Sequence, residues 1–263
     1  MIGYNHLGRN GRLGNQMFQY AALRAIAAKH GYEFTIPDSN FEDEWNTHQL
    51  FKVFQLPHLK SRGVVDDRYI QERQYNYDQE LVDQVPDNVS LFGYFQTEKY
   101  FAEIADSIRE DFVFHDEILN NSKEVMEGME NPISLHVRRT DYVEKSQDHP
   151  PCSMDYYREA LSHFDDDRQV IIFSDDVKWC KNQDLFKPDR FLISETGDNR
   201  YDLCLMTLCS DYIIANSSFS WWGAWLSQNP NPKVIAPKRW FGSTGYTASH
   251  NTEDIVPDRW IKI

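Results

Sequence analysis

The sequence predicts an α/β protein built around a parallel, doubly wound sheet. Two observations carry this prediction. From about residue 131 short apolar runs alternate strictly with helical runs, and clusters of polar residues follow the ends of successive strand runs. Parallel strands joined through helices need right-handed crossovers, and such sheets bind ligands beyond the carboxyl ends of their strands.

The chain opens with a glycine-rich segment, GRNGRLGNQ (8–16), that runs into MFQYAALRAIAAKHG. Phe18, Ala21, Ala22, Ala25 and Ile26 recur at helical spacing, Lys29 and His30 fill the last turn, and Gly31 is the stop. YEFTIP then reads as a strand closed by proline. Residues 38–90 are polar and weakly periodic, which predicts irregular structure with short helices. VSLFGYFQ (89–96) reads as a strand and TEKYFAEIADSIREDF (97–112) as a helix. The regular half follows. PISLHV, QVIIF, RFLIS, DYIIA and a final KVIA are strand runs, and SMDYYREALSHF, DVKWCKNQ, NRYDLCLMTLC and SFSWWGAWLSQ are the helices between them.

Composition bounds the function. With 41% apolar and 14% aromatic residues among 263, the chain can bury a core. A net charge of −14 argues against coating nucleic acid or an anionic membrane, and confines any phosphorylated ligand to a local basic pocket. The cysteines (Cys152, Cys180, Cys204, Cys209) have neither CxxC nor zinc-like spacing and read as buried thiols, which suits a soluble cytoplasmic protein. The apolar stretch DYIIANSSFSWWGAWL is broken by Asn216, Ser217, Ser218 and Ser220, so no transmembrane segment is expected.

Arg138 and Arg139 follow the PISLHV strand directly. They could be structural ion-pair partners, but at a carboxyl end their guanidinium forks also suit phosphate oxygens, with Asp141 holding one fork in place. His136, on the strand itself, reads equally as a packed core histidine. Asn216, Ser217 and Ser218 stand at a strand-to-helix junction, where amides that need a cap can also bind an anion. Trp221, Trp222 and Trp225 read as core. In GRLGNQ the P-loop lysine is missing. Gly11 and Gly14 would let the backbone approach a ligand, with Arg12 and Asn15 beside it. The carboxylates of FDDDR read as a solvated turn, and Asp175 and Asp176 as charge partners of the arginines, so no metal site is expected.

GRLGNQMFQYAALRAIA, FGYFQTEKYF, HVRRTDYV, FSDDVKWC and NSSFSWWGAWL occur in one order along nearly the whole chain. Together they resemble the α-1,2-fucosyltransferases of glycosyltransferase family eleven. The resemblance implies a GT-B fold of two Rossmann-like domains across a cleft. Residues 1–130 would be the N-terminal, acceptor-side domain and 131–263 the domain that binds GDP-fucose. It also implies inverting transfer of fucose to O2 of a galactose-terminated glycan, with neither metal nor cofactor beyond the GDP-fucose co-substrate. Carried over by motif, Arg138 would bind the β-phosphate and, with Asp141, form the catalytic pair. His136, Arg139 and Asp175 would lie near the nucleotide, and Asp202 would pair with the guanine edge. Ser217, Ser218 and Phe219 would cradle the pyrophosphate, and Arg12, Gly14 and Asn15 would reach the donor from the glycine loop. No general base is identified: Glu144, Asp148 and His149 follow the motif but read as solvated. The family usually has an apolar first strand, where this chain has IGYNHLG. A same-fold transferase for another nucleotide sugar, and a non-catalytic glycan- or nucleotide-binding protein, are the rival readings.

Overall fold

A computed structural model describes residues 1–38 and 47–263. Part of the segment expected to be irregular, residues 39–46, lies outside the described residues. The chain divides into two compact units, residues 1–115 with 250–257, and residues 116–249 with 258–263.

In the first unit β1 (Ile2–Gly3) leads through the glycine-rich segment into α1 (Leu13–His30), then β2 (Phe34–Ile36), α2 (Leu50–Val53), β3 (Ser61–Arg62), β4 (Tyr69–Gln71), α3 (Gln79–Gln84), β5 (Ser90–Phe92) and α4 (Ala105–Asp111). The strands pair in parallel in the order β3-β2-β1-β5-β4. The polar-looking IGYNHLG stretch therefore supplies the central strand. Ile2 is wholly buried, and Asn5 is satisfied by exchanging two hydrogen bonds with the backbone of Val65 (2.9 and 3.0 Å). Helix α1 is buried from Leu13 to Ala27 except at Asn15 and Arg24, because its small and apolar residues run round most of its surface.

Two sequence expectations are corrected here. VSLFGYFQ pairs only over Ser90–Phe92, since Gly93 (φ 155°) and Phe95 (φ 53°) turn the chain away. The helix expected over 97–112 begins as two short 3₁₀ turns and becomes α-helical only at Ala105. β3 and β4 were not expected; their polar residues sit at the two edges of the sheet, where burial demands least.

The second unit begins with α5 (Asp116–Met126). Then come β6 (Ile133–Val137), α6 (Thr140–Glu144), α7 (Met154–Leu161), β7 (Val170–Ser174), α8 (Val177–Lys181), β8 (Phe191–Ile193), α9 (Asn199–Leu208), β9 (Asp211–Ile213), α10 (Ser218–Trp225), β10 (Val234–Ala236) and β11 (Ile261–Lys262). The sheet is parallel, in the order β11-β10-β9-β6-β7-β8. KVIA is thus not the last strand. Ile133, Leu135, Val137, Ile172, Ile213 and Ile235 interlock beneath Tyr157 and Phe164, each buried aliphatic side chain contributing roughly 1.5–3 kcal/mol. Trp221, Trp222 and Trp225 are core residues, as their spacing suggests.

The division differs from the single cut expected at residue 130/131. Helix α5 groups with the second unit because it packs on α9, burying Ile118 and bringing Asn121 to the Tyr201 hydroxyl at 3.4 Å. Residues 250–257 return to the first unit, where Asp254 accepts from the Tyr77 amide (2.9 Å) and from Lys99 Nζ (2.5 Å). The chain then ends on β11 in the second unit.

Candidate active site

In the second unit β6 leads to β7 on one side and neighbours β9 on the other, so the strand order reverses between β6 and β9. A crevice forms at such a switch point, beyond the carboxyl ends. The residues following β6 and β9 are Arg138–Tyr142 and Ile214–Ser218.

Arg138 is mostly buried, with its side chain 16% exposed, and two carboxylates hold it: Asp141 bonds Nη2 and Asp175 lies 3.0 Å from Nη1. The Tyr142 ring supports the same guanidinium at 5.2 Å and donates its hydroxyl to the Asn216 carbonyl at 3.1 Å, tying the loop after β6 to the loop after β9. Asp175 also accepts from the Arg139 amide (2.9 Å), the Thr140 amide (3.2 Å) and the Thr140 hydroxyl. Burial works against its charge, but the Thr140 bond and the Arg138 charge outweigh it and hold the carboxyl below its ordinary value. Arg139 turns elsewhere. It lies over the Trp179 ring at 4.0 Å and reaches Asp176 at 3.3 Å, while Asp176 caps α8 through the Trp179 amide.

His136 is buried. The Ser220 hydroxyl donates to the Ser217 carbonyl (3.3 Å), and its oxygen lies 2.9 Å from His136 Nδ1. Burial first, then the Arg138 charge, lower this imidazole to about 3, so it is neutral. Phe219 packs 5.8 Å from its ring.

The helix ends of this unit differ. Ser153, Asp176 and Asp198 cap α7, α8 and α9 through their side chains, whereas Ser217, the N-cap of α10, makes no side-chain cap bond. Ser218 opens α10 directly above the switch point. Asp202 lies in the first turn of α9, where Ser194 (2.6 Å) and Thr196 (2.7 Å) both donate to its Oδ1 and burial raises its carboxyl above the ordinary value.

Asp148 and His149 are half-buried and engaged by neighbours. Asp148 accepts from the Thr247 amide at 3.2 Å, and His149 stacks on Tyr142 (5.0 Å) with Phe241 at its edge. Glu144 is exposed. Among the described residues no three His, Cys, Asp or Glu side chains assemble as metal ligands, and no helix is long and apolar enough to cross a membrane.

In the first unit the order reverses between β1 and β5. The glycine-rich segment follows β1. Gly11 has φ +92°, and a Cβ there would fall 2.3 Å from Asn15 Nδ2, so this turn and the Asn15 amide require glycine. Gly14, expected in the turn, lies buried in the first turn of α1 because the helix starts at Leu13. Arg12 is exposed and gives α1 no side-chain cap. Asn15 Oδ1 accepts from Gln96 Nε2 at 2.7 Å.

Sequence reasoning missed Gln96, Glu72 and Tyr142. Glu72 follows β4 and accepts from the Tyr94 amide (2.6 Å) and the Phe95 amide (2.9 Å), bracing the turn after β5; burial raises its carboxyl to about 7. The readable signal for Gln96 was an amide residue closing the FGYFQ segment just past a strand. For Tyr142 it was an aromatic residue four positions after an arginine.

The family model for glycosyl transferase family 11 matches residues 1–263. The O-antigen biosynthesis glycosyltransferase WbnK of Escherichia coli is 30% identical, over 97% of this chain and 98% of its own. An alpha-1,2-colitosyltransferase of Escherichia coli is also 30% identical, over 96% of each chain. The human galactoside alpha-(1,2)-fucosyltransferase 1 is 26% identical, over 83% of this chain and 64% of its own. Among solved structures, POFUT1 in complex with GDP-fucose superposes with a TM-score of 0.57 at 13% identity, covering 89% of this chain and 96% of that one. The fucosyltransferase NodZ from Bradyrhizobium gives 0.55 at 12% identity, covering 84% and 91%. The fold is therefore GT-B, and by sequence this chain belongs to glycosyl transferase family 11.

Proposed function

We propose that this glycosyltransferase moves L-fucose from GDP-fucose to O2 of a galactose-terminated glycan, with inversion and without a metal. The observation that carries the reading is the α10 terminus, left without a side-chain cap by Ser217, at the same switch point as the mostly buried Arg138. A helix N-terminus beside a guanidinium makes a site for a diphosphate.

The acceptor O2 attacks the anomeric carbon as the bond to the β-phosphate oxygen breaks. The electron pair leaves with GDP, and the acceptor proton passes to solvent or to the departing phosphate. Arg138, positioned in advance by Asp141, Asp175 and Tyr142, and the N-terminal end of α10 meet the growing negative charge. Asp141 serves by holding Arg138. A carboxylate tied to a guanidinium is a poor base. In this reading Phe219 closes over the phosphates beside neutral His136. Asp202 Oδ2 accepts from the guanine N–H edge while Ser194 and Thr196 fix Oδ1. Asp175 holds Arg138 at the nucleotide, and Arg139, anchored on Asp176 and Trp179, lies beside it.

The experiment is transfer from GDP-fucose to terminal galactosides by the purified chain, with and without EDTA. Fucosylation at O2 that survives the chelator supports the reading. No transfer, or transfer abolished by EDTA, overturns it. One second reading has a specific observation behind it: the 30% identity to a colitosyltransferase favours a 3-deoxy analogue of fucose as donor. Parallel assays with GDP-colitose decide between the two sugars.

A further inference from the structure

The first unit holds polar groups that the proposed chemistry leaves unused, and they converge at its own switch point. Gln96 is only 6% exposed, and its Nε2 donates to Asn15 Oδ1 at 2.7 Å. Its Oε1 is buried with no hydrogen-bond partner among the described residues. Gln19, wholly buried on α1, donates to the Asn10 carbonyl (2.9 Å) and the Gly93 carbonyl (3.1 Å), and its Oε1 also lacks a partner among the described residues. A buried amide oxygen left unpaired costs about 1–3 kcal/mol, so such groups call for an explanation.

The turn that presents Gln96 is held at a cost. Gly93 and Phe95 both have positive φ, Tyr4 bonds Gly93 through both its amide and its carbonyl, and Glu72 takes the next two amides. Strained backbone that its surroundings over-determine is characteristic of binding sites.

We infer that Gln96, beside Asn15, reads a hydroxyl group of a pyranose ring. The Glu72 carboxyl and Tyr4 hydroxyl here are engaged with the backbone of the turn, which leaves the amides of Gln96 and Asn15, and an amide oxygen repels a phosphate but accepts from a hydroxyl. A hydroxyl both donates and accepts, so it satisfies Gln96 whichever way the paired amides of Gln96 and Asn15 are turned. The hydroxyl can come from the donor sugar or from the acceptor sugar, and the chemistry of recognition is the same. The inference rests on the transferase reading, and it names a sugar-specificity residue in the unit opposite in sequence to the phosphate site.

The test compares the wild-type chain with Gln96→Met, which keeps length and loses both polar atoms. Each is assayed with GDP-fucose, with GDP-fucose analogues lacking one hydroxyl at a time, and with acceptors lacking single hydroxyls other than the nucleophile. In the wild type, removal of one particular hydroxyl lowers kcat/KM roughly 10- to 100-fold. In Gln96→Met the parent substrate suffers a similar loss and removal of that hydroxyl costs nothing further. Whether the sensitive position lies on the donor or the acceptor series identifies the source. An equal loss for every analogue in both proteins overturns the assignment. So does a wild-type enzyme indifferent to every deoxygenation, a result that needs no variant to fold. Failure of wild-type fucosyl transfer would instead be seen with the parent substrates and would strike the transferase reading itself.

Discussion

At the β6/β9 switch point of the second unit the side chains are ionic: Arg138 between Asp141 and Asp175, with Arg139 drawn off to Asp176. At the β1/β5 switch point of the first unit they are amides, Asn15 and Gln96, with Gln19 beneath the same turn. Both crevices come from the same plan, a parallel sheet whose strand order reverses. The sheet fixes where a ligand can sit, and the few residues after each strand decide what kind. Guanidinium and helix amides suit a leaving diphosphate, whereas amides suit a neutral ring.

The largest expected effect tests the ionic side. Arg138→Ala is expected to lower turnover ~100- to 1,000-fold, about 3–4 kcal/mol of lost charge stabilisation, while circular dichroism shows a folded protein. Near-normal turnover would dissolve the contrast between the two crevices.

A second effect contrasts the units by their response to pH. The Glu72 carboxyl is raised from 4.5 to about 7 by burial, so the folded chain holds its proton more tightly than the unfolded one. Its stabilising contribution is full below pH 4.5 and is lost as the pH rises to 7. Hydrogen exchange of peptides spanning 69–72 and 90–96 reads this locally. Protection in the wild type relative to Glu72→Gln should fall by about 3 kcal/mol across that window. His136 runs the other way. Its folded value is depressed from 6.5 to about 3, so its contribution is present above pH 6.5 and is lost as the pH falls. Peptides covering β6 and α10 should lose protection below pH 6.5, after correction for intrinsic exchange. Parallel slopes in the two units would contradict the assignment.

The smallest effect sharpens the reading of α10. Ser153 caps α7 through its side chain, so Ser153→Ala should cost about 1 kcal/mol in thermal or urea unfolding. Ser217 makes no such bond, and Ser217→Ala should cost less than about 0.5 kcal/mol. Equal losses would mean that α10 is an ordinary capped helix.

The second unit was legible because its central strands are buried and read as unbroken apolar runs: all five residues of Ile133–Val137 are buried. The first unit was not. Its strands are only two or three residues long and its edges are polar, so β3 and β4 carry no periodic signal. The polar clusters after β6, β7 and β9 could be placed from alternation alone, because residue order fixes which end of a strand they occupy. What sequence could not supply was the pairing. Nothing in the order of residues tells that Arg139 leans on Trp179, that Tyr142 bridges two loops, or that Glu72 braces a turn more than twenty residues away.

The return of residues 250–257 to the first unit bears on how the molecule is made. During synthesis Asp254 emerges after residues 116–249, so Tyr77 and Lys99 wait for their partner until that stretch has been made. The amino-terminal half cannot finish folding on the ribosome ahead of the carboxyl-terminal half. For the same reason no single protease cut releases either half intact.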